Sequence, residues 1–281
     1  EDALRIYLAK PLKPGRDVDL SVKYAGIRPQ WGLYFKTERM GFLPEEVQVW
    51  TQGEAEDSRY WFPCFDYPSE QATSEMIVTV PEGYRAMSNG RQVSMTPNPA
   101  DGTTTWHWSL EQKHVSYLTT LVVGKYDEIK DTSGPVPLYY YMMPRDADHV
   151  QRAYGETNAM MVFYEDYLDM PYPWGRYGQV SVLEFIAGGM ENTALTTMNE
   201  RVAGDASNWL VYKPEGLVAH ELFHQWFGDL LTCRDWSHLW LNEAFASYGE
   251  YLYFEHAYGE DYPEYRRYVM DLRDGINVDS E

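Results

Sequence analysis

The hydrophobic pattern of this chain changes period once, close to residues 131–137, and that change limits the folds open to it. Ahead of it, apolar and polar residues alternate in "LRIYLA", "VDLSVKY", "EMIVTV", "TTTWHWSL" and "SYLTTLVV", with proline, glycine and Asn-Gly punctuation between them. Alternate residues of a strand point to opposite faces, so this pattern predicts an antiparallel β domain. The turn-forming run "DTSGPVP" then marks a boundary between an N-terminal domain of residues 1–133 and a second domain of residues 134–281.

Beyond the boundary one more strand-like run, "LYYYM", leads into residues 148–168, where apolar positions such as Val150, Tyr154, Met161, Tyr164 and Leu168 recur at helical spacing. "QVSVLEFI" reads as a strand and is followed directly by "AGGMEN". A helix is predicted from Pro214, with proline suited to its first turn and Gly228 to its end. A second covers "SHLWLNEAFASYGEYLYFEHAYG", with Ser237 as N-cap and Gly259 near its C-terminus. The fold class is therefore two-domain: an antiparallel β domain followed by an α+β, mostly helical domain.

The first of these helices carries an unusual group of residues. "LVAHELFHQWFGDLL" is apolar nearly throughout, yet it places two histidines and a glutamate within five residues. His220 and His224 are four apart, so on a helix their Cβ atoms lie on one face about 5–6 Å apart, within reach of one metal ion. Glu221 is turned roughly 100° around the helix, beside such an ion and suited to act as a base on its water. Glu243 follows His224 after 18 residues, in the first turn of the next helix, and completes two neutral donors and one anionic donor. The pattern implies one zinc ion held by His220, His224 and Glu243, with Glu221 as general base.

Composition narrows the partners. With 23 Lys plus Arg against 43 Asp plus Glu, the net charge of −20 argues against nucleic acid and anionic membranes. A content of 44% hydrophobic residues is ample for buried cores, and no run of 18 apolar residues occurs. The two cysteines, Cys64 and Cys233, lie far apart and outside any CxxC pattern, so neither a disulfide framework nor a cysteine metal site is indicated. The chain starts at Glu1 without a signal-peptide pattern, which leaves removal of an address segment open.

Together these motifs resemble the aminopeptidase N-like gluzincin family, which includes leukotriene hydrolase. Its HExxH-x18-E signature matches His220, Glu221, His224 and Glu243, and its GxMEN motif matches Gly188, Gly189, Met190, Glu191 and Asn192. "WLNEAFA" and the segment from "TQGEAED" to "FPCFD" (51–66) are also similar to the family. The resemblance implies a partial family β domain over 1–133 and a partial thermolysin-like zinc peptidase domain over 134–281. It implies hydrolysis of the N-terminal residue from peptides with a free N-terminus. Glu191 would hold the substrate's ammonium, with Glu54 and neighbouring Gln52 contributed by the β domain. The residues of "GGMEN" would bind the substrate backbone in extended form, and Ala187 would line the pocket for the first side chain.

The resemblance also sets expectations of incompleteness. The family's oxyanion-donating tyrosine would lie past Glu281, and Tyr248 and Tyr251 are too near Glu243 to replace it. The expectation is an internal fragment of a longer protein that binds zinc but hydrolyses peptides weakly, because losing one oxyanion donor costs about a hundredfold to a thousandfold. Two alternatives are an epoxide hydrolase of the leukotriene hydrolase type, which needs a long apolar channel, and a non-catalytic family member, which should have lost a ligand or base. The motif style suggests a bacterial protein in the envelope or secreted, with the cytoplasm left open. The preferred N-terminal residue and the oligomeric state are not encoded in these motifs.

Overall fold

The computed structural model describes residues 4–204, 213–263, 265–267 and 269–270. Seven strands build the first part: β1 (Leu33–Lys36), β2 (Gln48–Thr51), β3 (Gln71–Pro81), β4 (Arg85–Ser88), β5 (Arg91–Asn98), β6 (Thr103–Val115) and β7 (Leu121–Gly124). They form two antiparallel sheets, ordered β1-β2-β7-β4 and β3-β6-β5. The second part opens with β8 (Asp127–Asp131) and β9 (Leu138–Met142), followed by helices α1 (Val150–Tyr154) and α2 (Thr157–Leu168). Then come β10 (Tyr177–Val182), β11 (Gly189–Met190), β12 (Leu195–Asn199), α3 (Glu215–Phe223) and α4 (Trp240–Tyr258). Its five strands pair in the order β11-β12-β10-β9-β8, with β10 parallel to both β9 and β12. A β-sheet domain is thus followed by a domain whose sheet carries helices, and β8 enters that second sheet just ahead of residue 133.

The inner strands β9, β10 and β12 of this five-stranded sheet are buried on both faces, and the period of two distributes their residues. Leu138, Tyr140 and Met142 of β9 and Tyr177 of β10 pack with α2 and α3 residues such as Met161, Tyr164 and Leu222. Tyr141 of β9 and Val180 and Val182 of β10 enter a second core with Trp50, Met87, Trp108 and Val122 of the β domain. All six residues of β10 are buried, as expected of a parallel strand covered on both sides. The seam between the two parts is therefore core, and Arg176 strengthens it: its guanidinium lies 3.8 Å from the Tyr139 ring centre and 5.2 Å from that of Trp108, and it donates to Tyr141 Oη at 2.9 Å.

Several expectations change at the level of boundaries. "LRIYLA" and "VDLSVKY" form no strand: residues 4–32 join no sheet, and Leu4, Ile6, Leu20, Val22 and Tyr24 instead line an open apolar cavity with Leu33 and Phe35. Alternation decides which side chains share a face, but a strand also needs a neighbour's backbone, which none of the described strands supplies. "SYLTTLVV" splits into a tight turn at Ser116–Leu118 and then β7, and the helix expected over 148–168 breaks between α1 and α2 at Gly155 and Glu156. "QVSVLEFI" stops pairing at Val182. "LYYYM" is β9 from end to end.

His114, in β6, offers a test of the β domain on its own. It is 3% exposed, and burial holds its pKa down to about 4. The ring is neutral in the fold, whereas an unfolded histidine takes up its proton near pH 6.5. The unfolded chain therefore binds more protons between these values, so stability is full above about pH 6.5 and falls as pH drops toward 4, by up to about 1.4 kcal/mol per pH unit from this residue. Urea unfolding of His114→Gln should show a flatter dependence over that window than the unaltered chain; parallel slopes would contradict the assignment.

Candidate metal centre and substrate cleft

Pro214 is the N-cap of helix α3, its carbonyl accepting from Val218 N–H at 2.9 Å, and the helix ends at Phe223, earlier than Gly228. The cause is local: the N–H groups of Gln225 and Trp226 bond the carbonyls three residues back, at 3.1 Å each, which tightens the turn. Gly228 still has a conformational task. Its φ of 136° and its approach to His224, where an added Cβ would sit 2.9 Å from Nδ1, require glycine. The turn brings Phe227 O to 3.0 Å from His224 Nδ1, so Nδ1 carries the hydrogen and Nε2 offers a lone pair.

The loop after α3 leads to α4 through a short 3-10 turn at Trp236–His238. Ser237 does not cap α4, whose N-cap position is Leu239 with no side-chain cap; Asp235 caps the 3-10 turn instead, its side chain accepting from Ser237 N at 2.9 Å. Gly259 ends α4 with a φ of 79°, as expected. Glu243 lies in the first turn of α4, where the positive end of the helix dipole favours a carboxylate, while the histidines lie at the end of α3, where a cation is favoured.

His220, His224 and Glu243 converge, with donor atoms within 4.8 Å of one another. The two Nε2 atoms are 3.1 Å apart, and Glu243 Oε2 is 3.4 Å from that of His220 and 3.7 Å from that of His224. A tetrahedral zinc with bonds of about 2.0–2.1 Å keeps its donors about 3.3 Å apart, so this donor set fits zinc in number, chemistry and spacing. Burial would raise the Glu243 carboxyl, but the two imidazoles outweigh it and hold the group well below the usual carboxylate range.

The same cleft, about 780 Å³, is lined by Glu54, Ala187, Gly188, Gly189, Glu191, Glu221 and Glu250 together with the three donors. Glu221 is 4% exposed and lies directly against Gly189, with Oε2 buried and unpaired. Burial, reinforced by Glu191 and Glu243, raises its pKa well above the ordinary value. Glu191, raised to about 8 by burial and then by Glu243, and Glu54, raised to about 8 by burial, Glu191 and Glu243, each keep a buried unpaired oxygen. Carboxylates arranged in this way would gain from a cation placed among them.

β11 pairs with β12 through Gly189↔Met198 and Met190↔Thr197, and it is the edge of its sheet. Its outer backbone can take a further extended strand. The predicted substrate residues divide accordingly. Glu54, Ala187, Gly188, Gly189 and Glu191 line the cleft, whereas Met190 is core and Asn192 is buried, donating to Thr197 Oγ1 at 3.1 Å. Gln52 is buried with an unpaired Oε1 but does not line the cleft.

Three contributors escaped sequence reasoning. Glu250 lines the cleft two turns after Glu243, a spacing that places both on one face of α4. Gln225 is fully buried and holds the motif from behind, donating to Glu191 O at 2.8 Å and accepting from Ala194 N at 2.9 Å. Asn242 accepts from Cys233 N at 3.0 Å and donates to Tyr117 Oη of the β domain at 3.2 Å, one residue before Glu243. Only Glu250 had a periodic signal; the other two depend on partners distant in sequence.

Comparison with known proteins agrees with this arrangement. The family model described as Peptidase M1 N-terminal domain matches residues 1–118, and that described as Peptidase family M1 domain matches residues 152–280. Aminopeptidase N of Oryctolagus cuniculus is 32% identical over 284 residues, covering 96% of this chain and 28% of the relative. Aminopeptidase N of Streptomyces lividans is 35% identical over 217 residues, covering 74% of this chain and 24% of the relative, and that of Homo sapiens is 33% identical over 254 residues, covering 85% and 25%. The chain thus spans about a quarter of the length of these curated relatives. With both models matched in order along the chain, and relatives of one name aligned across most of it, the chain belongs to the aminopeptidase N-like family of M1 peptidases.

Proposed function

We propose that this chain carries the zinc site and the N-terminus-binding site of a metalloaminopeptidase, divided between a domain of residues 1–133 and one of residues 134–281. The observation that carries this reading is the presence, in one cleft, of three donors at tetrahedral spacing and two carboxylates, the half-buried Glu54 and the buried Glu191, each with a buried unpaired oxygen. His220, His224 and Glu243 would hold one zinc ion. Bound there, zinc supplies Lewis acidity, polarising the scissile carbonyl and acidifying a water.

Glu221 takes the proton of the attacking water and returns it to the leaving amine, so no covalent enzyme intermediate forms. Glu191, with Glu54 contributed by the β domain, receives the substrate's α-ammonium; a charge-assisted contact of this kind fixes the peptide's end and restricts cleavage to its first bond. The outer edge of β11 binds the extended backbone, and Ala187 leaves room for the first side chain. Gln225, gripping the Glu191 carbonyl, keeps that carboxylate from turning away.

Three measurements test the reading. Metal-free chain should bind one zinc ion and gain thermal stability from it, and Glu243→Ala should lose both effects in calorimetry; zinc binding unchanged by that substitution would refute the donor set. Glu221→Gln should keep zinc but cut turnover by about a hundredfold or more. A peptide with a free N-terminus should be bound and cleaved in a chelator-sensitive way, while its acetylated twin is refused; Glu191→Gln should weaken the free peptide about tenfold or more and leave the acetylated one unchanged. Equal handling of both peptides by the unaltered chain would remove the ammonium-binding role.

A further inference from the structure

Beyond this reading, the β domain also sets where the peptide-binding edge lies. β10 ends at Val182, and residues 183–188 carry the chain across to β11. Both backbone groups of Leu183 are taken by β2: Gln48 Oε1 accepts from Leu183 N at 3.0 Å, and Trp50 Nε1 donates to Leu183 O at 3.2 Å, both in buried surroundings. One residue on, Lys36 of β1 donates to Glu184 Oε2 at 2.7 Å, and Glu184 takes a φ of 50°. Phe185 then meets the Trp50 ring edge-on at 5.2 Å. From the other side Asn199, at the end of β12, donates through Nδ2 to Phe185 O at 2.9 Å and to Ala187 O at 3.3 Å, and through its backbone N–H to Gly188 O at 2.8 Å.

The bonds from Asn199 tie β11 to its own sheet. Those from β2 tie it to a different body, and β2 also ends at Thr51, three residues before Glu54. One strand therefore holds the approach to Ala187–Glu191 and leads to the second carboxylate of the cleft, so it fixes the separation of Glu54 from Glu191. We propose that Gln48 and Trp50 are positioning residues for peptide binding, holding Leu183 so that β11 and the two carboxylates present one preformed seat for the substrate's N-terminal residue. The inference rests on the ammonium-binding reading above.

Gln48 permits a sharp test, because its amide nitrogen is buried without a partner and only its oxygen carries the link. Gln48→Met removes the acceptor and leaves Leu183 N–H unpaired. Gln48→Glu keeps an acceptor oxygen beside Lys36, its cross-strand neighbour. In zinc-loaded chain bearing Glu221→Gln to suppress turnover, calorimetry would compare trialanine with N-acetyl-trialanine, and a separate titration would measure zinc affinity. Gln48→Met should bind trialanine about tenfold more weakly, Gln48→Glu should return to within about twofold of the parent, and zinc affinity should stay constant.

Trialanine binding by Gln48→Met equal to the parent's would overturn the inference, as would a parallel fall in zinc affinity, which would mean general loosening. If Gln48→Met does not fold, Trp50→Phe, which keeps a ring beside Phe185 and removes the indole donor, is judged by the same criteria. A parent that binds both peptides alike sinks the ammonium-binding reading and this inference with it, whereas a discriminating parent with an unaffected Gln48→Met sinks this inference alone.

Discussion

The contact on which the site depends is the one between the Phe223 ring and the backbone of α4 at Gly249. A Cβ at Gly249 would fall 2.3 Å from the Phe223 ring, so glycine alone lets the aromatic face rest on the helix. Tyr164 Oη donates to Gly249 O at 2.9 Å and seals the third side of the contact from α2. Phe223 immediately precedes His224, and Gly249 lies under two turns after Glu243. The distance between the two donor helices is thus set by an apolar contact that contains no donor atom, and close packing makes such a contact stiff. A metal site needs its donors placed to a fraction of an ångström, and buried aromatic packing supplies that more reliably than the polar groups could alone.

What the packing brings together is electrostatically unfavourable by itself. Burial raises the pKa values of Glu221, Glu191 and Glu54, and neighbouring carboxylates add to it: Glu191, Glu243 and Glu54 act on Glu221, Glu243 on Glu191, and Glu191 and Glu243 on Glu54. Burial of like charges costs stability and is retained only where something offsets it. The arrangement has two offsets of differing kind. The imidazoles of His220 and His224 steady Glu243, while the remaining carboxylates face a cleft open to ligand. Carboxylates perturbed in this way commonly mark functional sites.

The parts of this site legible in sequence were those fixed by local geometry. His220, Glu221 and His224 belong to one helix, whose pitch determines their relation whatever surrounds it, and Glu243 needed only the assumption of a second helix packed on the first. β9 and the core strands of the β domain followed from alternation for the same reason. Other features depended on distant partners. "LRIYLA" and "VDLSVKY" alternate as strands would, yet neither pairs with any described strand. β10 stops at Val182 because Gln48 and Trp50 claim the next peptide. Gln225 and Asn242 look like ordinary polar residues until the groups they bridge are adjacent.

The alternation that announced a β domain also concealed how closely that domain is joined to the rest. Trp50 and Met87 share a core with Val180, Val182 and Met190, so the face of the five-stranded sheet turned toward the β domain is buried largely by the β domain. Removing β1 to β7 would expose that face to water, including Val180 and Val182 of β10. The cleft follows the same division: its metal donors come from helices on one side of the sheet, and Glu54 comes from the domain on the other. Because β11 stands at the sheet's edge, a peptide laid along it as proposed would be read by both domains at once.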